Sequence, residues 1–461
     1  MATVKHTLFD SFSYTGEWWL PEKPEDKVSG EVSFSEEGIK LKLVGSFYGP
    51  GGFGTMRKED IILGFTTDGK KITLVDSFGG QSVSFPGMAA ANMTSNRLFI
   101  GEWFSSEDEL LFSSMSLNCP YLEEWLVVNP ITTGYDLEEQ AIKEFRAKYA
   151  PLEPLEGRIE NIDASFRTGC AFSTKSDARM LSWEYASFFK FIPDSIQPFS
   201  WHMDVYSDFT NLLTLFIGEP VYARQVRLRK AEEPNDDIID VFFRQGAEAT
   251  RESVHPHDML VTLPQIRDNL ADVLDAWFAK KEVLEPVYNL FFAVDYSPRM
   301  YLDVKLLFYA HALESFHREV EKGYYYGEEE WPSVQDDLNS RIPNGLPEDF
   351  RARLVSQIKY ANEYSLRKRL YEIYDSLGED LKRLFTDEPE AFIESVVKTR
   401  NYLVHHSPED KAFVLRRRPL HVAVQKLKIL IIFLLLKELG IDESLITTSV
   451  SNNRYYSDLF S

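Results

Sequence analysis

The chain has 461 residues, 44% hydrophobic and 26% charged, a composition that suits a soluble globular protein of two or three domains. Its formal net charge of −22 excludes a protein that coats nucleic acid with its whole surface. Only two cysteines occur, Cys119 and Cys170, and no CxxC pair, so neither a disulfide framework nor a zinc knuckle is indicated and a reducing compartment fits.

The first residues lack the apolar segment of a signal peptide. The longest strongly apolar run, Ile429 to Leu436, is shorter than the roughly 20 residues a bilayer requires. A cytoplasmic protein with no membrane partner is expected, with that run on a helix buried on most sides. The acidity is uneven. Residues 301–461 carry 22 Lys/Arg against 26 Asp/Glu, a net of −4, which leaves −18 for residues 1–300. No acid occurs between Asp410 and Glu438.

In chain order, residues 10 to about 130 predict strands and turns. Val32 to Ser35 and Ile39 to Val44 alternate apolar and polar with period two, separated by Glu36-Glu37-Gly38. Ile61 to Thr66 and Ile72 to Val75 flank Thr67-Asp68-Gly69, a hairpin signal. Trp18-Trp19 are expected in a core, with a binding groove as the weaker alternative. A second β-leaning stretch runs from Ile159 to Phe243 and includes Leu212 to Ile217. Whether the two stretches make one sheet system or two packed modules is open in the sequence.

The pattern changes after about residue 262. Leu263 to Trp277 predicts a helix, and Asp295-Tyr-Ser-Pro-Arg299 a joint. Leu302, Leu306, Tyr309, Leu313, Phe316 and Val320 form a helical stripe, with Gly323 placed to terminate it. Further helices are expected over 347–362, 364–377, 388–406 and 419–440. The fold class is therefore α+β: a β-rich region over 1–290 with sandwich-like sheets, divisible near 150, then an all-α bundle over 291–461.

Two candidate motifs are set aside. Gly49-Pro-Gly-Gly-Phe-Gly54 spells GxGxxG, but a strand-like segment follows it where a phosphate-binding helix should open. His255-Pro-His257-Asp258 lacks the third and fourth ligands of a metal site and predicts a surface turn. No metal and no cofactor are expected.

The segment Thr386 to Pro408 is more informative. Thr386-Asp387-Glu-Pro389-Glu390 offers a helix start, and Pro408 ends the helix near His405 or His406. Ile393, Val397 and Val404 set a buried stripe whose vacant position is Arg400. A guanidinium facing a core is costly unless paired. One explanation is a structural ion pair, with Glu314 as the partner; the other is catalysis. The pattern Arg-x4-His is weak alone, since Arg416 to His421 also matches it. Arg400, however, is the arginine followed directly by asparagine, and His405 lies at its helix's end.

These residues resemble the Arg-Asn-x-x-x-His motif of HEPN-domain ribonucleases. Gly16-Glu-Trp-Trp-Leu-Pro-Glu22, Val28 to Phe34, Gly38 to Ser46 and Ile61 to Gly69 resemble the N-terminal domain of the ApeA family, which joins such a domain to a HEPN nuclease in bacterial anti-phage defence. The resemblance implies Arg400, Asn401 and His405 as catalytic residues and Glu314 as a supporting acid. It also implies metal-independent cleavage of host or phage RNA, with tRNA among the expected targets, and a composite site between two HEPN domains. Partners would be RNA, a second copy of the chain or a higher homo-oligomer, and a phage-derived trigger at the N-terminal region.

Such groups suit transesterification by the RNA 2′-OH. Histidine titrates near pH 6.5 and serves as general base; arginine offers a charged fork to phosphate oxygens. The products would be a 2′,3′-cyclic phosphate and a 5′-hydroxyl. Residues five apart on a helix differ by about 140°, so Arg400 and His405 do not share a face; a dimer resolves this most simply. Lys411, Arg416, Arg417 and Arg418 could hold the RNA backbone, or be a solvated helix face. The alternative function is a non-catalytic HEPN dimerisation or RNA-binding scaffold with a ligand-binding β-rich module.

Overall fold

The computed structural model describes residues 6–48, 56–83, 89–138, 141–177, 179–231, 238–246, 251, 253–406 and 408–456. Internal contacts divide the chain into two compact units, Met1–Phe278 and Ala279–Ser461. Gly49 to Gly54 lie outside the described residues.

The N-terminal unit begins with six antiparallel strands: β1 (Phe12–Trp19), β2 (Val28–Ser35), β3 (Gly38–Val44), β4 (Met56–Thr66), β5 (Lys71–Val83) and β6 (Ala89–Ile100). β1 pairs with β2 and β4, β2 with β3, β3 with β6, β6 with β5, and β5 with β4. The ring closes, which removes free edges. The period-two pattern read from Val32 and Ile39 onward sends Val32, Leu41, Ile62, Leu74 and Leu98 to fully buried positions. Trp18 is completely buried and Trp19 nearly so, which settles core over groove. Gly64 makes room for the indole, because a Cβ there would sit 2.3 Å from Trp18. The expected turn at Thr67-Asp68-Gly69 joins β4 to β5, with Gly69 at φ +84.

The sheet then continues beyond the barrel. The remaining elements of this unit are β7 (Leu111–Phe112), β8 (Ser114–Asn118), α1 (Leu122–Leu126), β9 (Ile131–Glu138), β10 (Ala141–Tyr149), β11 (Glu156–Ile159), β12 (Ala164–Ser176), β13 (Leu181–Pro193), β14 (Gln197–Pro198), α2 (Phe199–Ile217), β15 (Gln225–Arg229), β16 (Ile239–Phe243), α3 (Leu263–Ile266) and α4 (Leu270–Ala279). β16 takes over from β3 along the second half of β6, and β15, β8, β13, β12 and β11 follow in that order. The two β-leaning stretches thus form one twelve-stranded system, part barrel and part open sheet; β9 and β10 form a separate hairpin.

One expectation fails inside this unit: Leu212 to Ile217 is not strand but the end of α2. A short apolar run has no period of its own. The helix is set by its flanks, where Val205, Phe209, Leu212, Leu213 and Phe216 bury one broad face. Thr210 and Thr214 donate their hydroxyls back to the carbonyls of Tyr206 and Thr210, and Gly218 at φ +83 stops the helix. Phe209 lies against Phe189 and Phe191 of β13, with centroids 4.5 and 5.1 Å apart.

The second unit is helical: α5 (Lys281–Asp295), α6 (Leu302–Val320), α7 (Trp331–Ser340), α8 (Glu348–Lys359), α9 (Leu366–Asp375), α10 (Glu379–Phe385), α11 (Pro389–His405), α12 (Arg417–Glu438) and α13 (Glu443–Asn452). Leu306, Tyr309, Leu313 and Phe316 of the predicted stripe are buried, and Lys322 and Gly323 turn left-handed beyond α6. Ile429 to Leu436 are all buried on α12. That helix is long and apolar enough by composition to cross a membrane, with 67% of its most apolar window buried.

Lys428 of α12 enters this core with its charge. Its ammonium lies 2.9 Å from Asp295 at the end of α5, and the Tyr309 hydroxyl donates to the same carboxylate at 3.1 Å. Burial disfavours the ammonium, but Asp295 outweighs it and raises the lysine pKa. Burial first, then Asp295, pushes the Tyr309 phenol up. The cluster ties α5, α6 and α12 together.

Candidate active site

α11 begins at Pro389, whose missing N–H costs nothing in the first turn. The Thr386 hydroxyl accepts from the Glu388 N–H at 3.2 Å in the approach. The helix ends at His405; His406 adopts φ +53 and donates its N–H to Tyr402 O at 2.7 Å. Ile393, Val396, Val397 and Thr399 form the buried face. Val404 does not join them as expected: it is 48% exposed. The buried positions of α11 end at Thr399, and Arg400 to Leu403 are only half-buried, so the stripe stops one turn early.

Arg400 is half-buried, at the margin of that face. Its Nη2 lies 3.8 Å from Glu314 Oε2 on α6, and its Nη1 donates to Asn401 Oδ1 at 3.2 Å. The structure therefore brings together Arg400, Asn401 and Glu314. His405 stands apart, exposed at the helix end, and among the described residues its ring has no hydrogen-bond or ion-pair partner. Thr399, next to Arg400, accepts from the Leu415 N–H at 3.0 Å, and Lys398 lies 3.4 Å from the Phe413 ring centroid. Residues 410–415 thus fold back along α11. Lys411, Arg416, Arg417 and Arg418, at either end of that segment, are exposed and without ion pairs among the described residues. Three arginines at a helix start oppose the macrodipole, which favours anions there.

Behind Arg400 is a network that sequence reasoning missed. Glu314 also faces Arg318 at 3.5 Å; Arg318 Nε donates to Glu363 at 3.3 Å; and Glu363 lies 3.6 Å from the fully buried Arg369. Arg369 donates to His317 Nδ1 at 3.0 Å, Lys322 O at 3.2 Å and Tyr364 O at 3.0 Å. An arginine only donates, so His317 accepts at Nδ1 and donates from Nε2 to Glu372 at 3.1 Å. Burial, helped by Arg369 and opposed by Glu372, lowers the His317 pKa. Two signals were available: Arg318 stands four residues after Glu314 on one helix, and Arg369 interrupts the stripe of Leu366, Leu370 and Ile373 as Arg400 interrupts its own.

His255 and His257 sit on a short turn with stacked rings 5.0 Å apart. Among the described residues, no three His, Cys, Asp or Glu side chains gather as a metal site.

Comparison with known families places both units. The ApeA N-terminal domain 1 profile matches residues 13–277 and the Apea-like HEPN profile residues 307–445. No curated protein and no solved structure matches the chain. The first profile alone covers more than half of the sequence, its span agrees with the barrel and its extension, and the second takes in α11 with Arg400 and His405: the chain belongs to the ApeA family and carries a HEPN domain.

Proposed function

We propose that this HEPN protein of anti-phage defence is a metal-independent endoribonuclease that acts by abortive infection, with Arg400, Asn401 and His405 as its catalytic residues. The observation that carries this reading is the state of Arg400: half-buried, held among the described residues by one carboxylate at 3.8 Å and by Asn401, on the helix that ends in His405, whose ring has no partner among those residues. A guanidinium held this loosely keeps donors for a phosphate. Glu314 orients it and Arg318 holds Glu314 in turn.

In the reaction His405 removes the proton of a 2′-OH, whose oxygen bonds to the adjacent phosphorus. Arg400 stabilises the charge gathering on the non-bridging oxygens, and the bond to the 5′-oxygen breaks. That oxygen needs a proton, which a second His405 in a two-fold site supplies, leaving a 2′,3′-cyclic phosphate and a 5′-hydroxyl. The two-fold site also meets the difficulty that Arg400 and His405 point about 140° apart on one helix. Lys411 and Arg416 to Arg418 hold the strand's phosphates. The N-terminal barrel and sheet restrain the nuclease until a phage-derived trigger binds; a cytoplasmic site and tRNA as a target fit that role.

A mixing experiment tests the composite site. Wild-type chains unfolded and refolded with an excess of His405→Ala chains should lose most of their rate on total bacterial RNA per wild-type chain, because a mixed site holds one histidine where the reaction uses two. A strictly monomeric wild type with full activity would refute the two-fold arrangement. The scaffold alternative, in which the Arg400–Glu314 pair is only structural, predicts no cleavage by any of these proteins.

A further inference from the structure

Gly323-Tyr-Tyr-Tyr-Gly327 follows α6, and its three rings are not core. Tyr324, Tyr325 and Tyr326 are 42%, 52% and 45% exposed, and Tyr360, on the loop whose Asn362 binds the Tyr325 and Tyr326 backbone, is 59% exposed. Tyrosines left this open on adjoining loops require an explanation, since aromatic side chains are ordinarily covered.

Backbone and side-chain hydrogen bonds tie the two loops together. Tyr325 donates its N–H to Asn362 O at 3.0 Å and Tyr364 its N–H to Gly323 O at 2.9 Å. The nearly buried Asn362 side chain accepts from the Tyr326 N–H at 2.8 Å and donates to Tyr326 O at 2.9 Å. Tyr324 and Glu363 form an antiparallel bridge. Cations lie among the rings: Lys368 Nζ is 3.6 Å from the Tyr364 centroid and 4.4 Å from that of Tyr325, and Lys359 is 5.6 Å from that of Tyr360.

This surface is also wired to the catalytic arginine. Glu363, paired with Tyr324 through the backbone, binds Arg318 through its carboxylate; Arg318 faces Glu314, which holds Arg400. Three ion pairs separate the tyrosine loops from the group that would meet the scissile phosphate.

We infer that Tyr324, Tyr325, Tyr326 and Tyr360 form a stacking platform for unpaired RNA bases next to the cleavage site. The inference rests on the nuclease reading and adds to it a binding surface outside the Arg400–His405 helix. Exposed rings interleaved with ammonium groups are what a splayed-out strand requires: a π-face for each base and a positive charge for the backbone. Bases within a duplex already stack on one another and offer no free face. Glu328, Glu329 and Glu330 follow the tyrosines directly; they repel phosphates on that side, which turns the backbone toward Lys368 and Lys359 and the bases toward the rings.

The test uses the full chain and a short fluorescent RNA with 2′-O-methyl groups, which cannot be cut, offered as a single strand and as a duplex. Tyr325→Ala with Tyr360→Ala should weaken single-strand binding about tenfold or more, given typical losses when a stacking ring is removed, and leave duplex binding unchanged. Phenylalanine at both positions should restore the affinity, because stacking needs the ring and not the hydroxyl. Light scattering on the same samples should give the wild-type mass. Equal losses on both RNAs, no loss, no rescue by phenylalanine, or a fall in mass that makes the tyrosines a contact between copies would each overturn the platform. If the alanine variant binds normally while wild type still cuts RNA, the platform falls and the nuclease stands. If wild type neither binds nor cuts, both fall.

Discussion

The helical unit contains two arrangements of charge that differ in one respect. At Lys428, Asp295 and Tyr309 the groups are close and directed at one another, at 2.9 and 3.1 Å, with Asp295 only 6% exposed. At Arg400, Glu314 and Arg318 the separations are 3.8 and 3.5 Å, and the side chains reach the surface. The first arrangement is complete, so its work is to hold three helices. The second leaves donors unspent on the helix that ends in the exposed His405, as a site that receives a phosphate requires. Charge on a predicted core face therefore marks a question, and satisfaction of that charge answers it.

Four experiments break or sharpen this contrast. Lys428→Met leaves Asp295 buried without its partner and should cost about 3–5 kcal/mol of stability, read by denaturant unfolding; adding Asp295→Asn should return much of it. If Lys428→Met is neutral, the closed cluster is not structural. Arg400→Lys keeps the charge but loses the planar fork. It should lower RNA cleavage by about 10²–10³-fold while moving the unfolding midpoint little; a large loss of stability with cleavage intact would reverse the roles given to the two clusters.

The N-terminal unit offers a titration of a closed site. His202 is fully buried, donates to Phe112 O at 3.2 Å, and is pushed down to about 4 by burial. Its folded pKa lies below its unfolded value, so the neutral ring's contribution is present above about pH 6.5 and is lost as pH falls toward 4, amounting to about 3 kcal/mol. His202→Gln should flatten the pH dependence of that unit's unfolding over this window; an unchanged slope would remove His202 as its cause. His317, with its pKa lowered by burial and by Arg369, has the same sign. The smallest effect concerns the open cations. Replacing Arg417 and Arg418 by alanine should reduce the salt slope of single-stranded RNA binding by about 0.7 for each phosphate no longer neutralised, and an unchanged slope would return them to a solvated helix face.

Much of the helical unit was legible in the sequence because its signals are local. The stripe from Leu302 to Val320, the start at Pro389 and the stop before Pro408 each act within a few residues. Glu314 could be named as the partner of Arg400 because both stand on strongly periodic helices. The barrel's strands were legible but its closure was not, since β1 with β4 and β3 with β6 join segments tens of residues apart. α2 was lost because Leu212 to Ile217 carries no period, and its helical flanks lie on its N-terminal side. Val404 was misplaced because periodicity continues to the last turn although burial ends at Thr399. The network through Arg318, Glu363, Arg369 and His317 spans loops and helices some 50 residues apart, and only folding brings those groups together.

The most direct test of the central claim is cleavage of total bacterial RNA in EDTA by wild type and His405→Ala, followed by end-group analysis. Removing a general base typically costs about 10²–10⁴-fold. Cleavage by wild type that leaves 2′,3′-cyclic phosphate and 5′-hydroxyl ends, and falls by that factor in a folded His405→Ala, is the predicted result. Equal cleavage by both proteins, or activity that vanishes with EDTA, would contradict it.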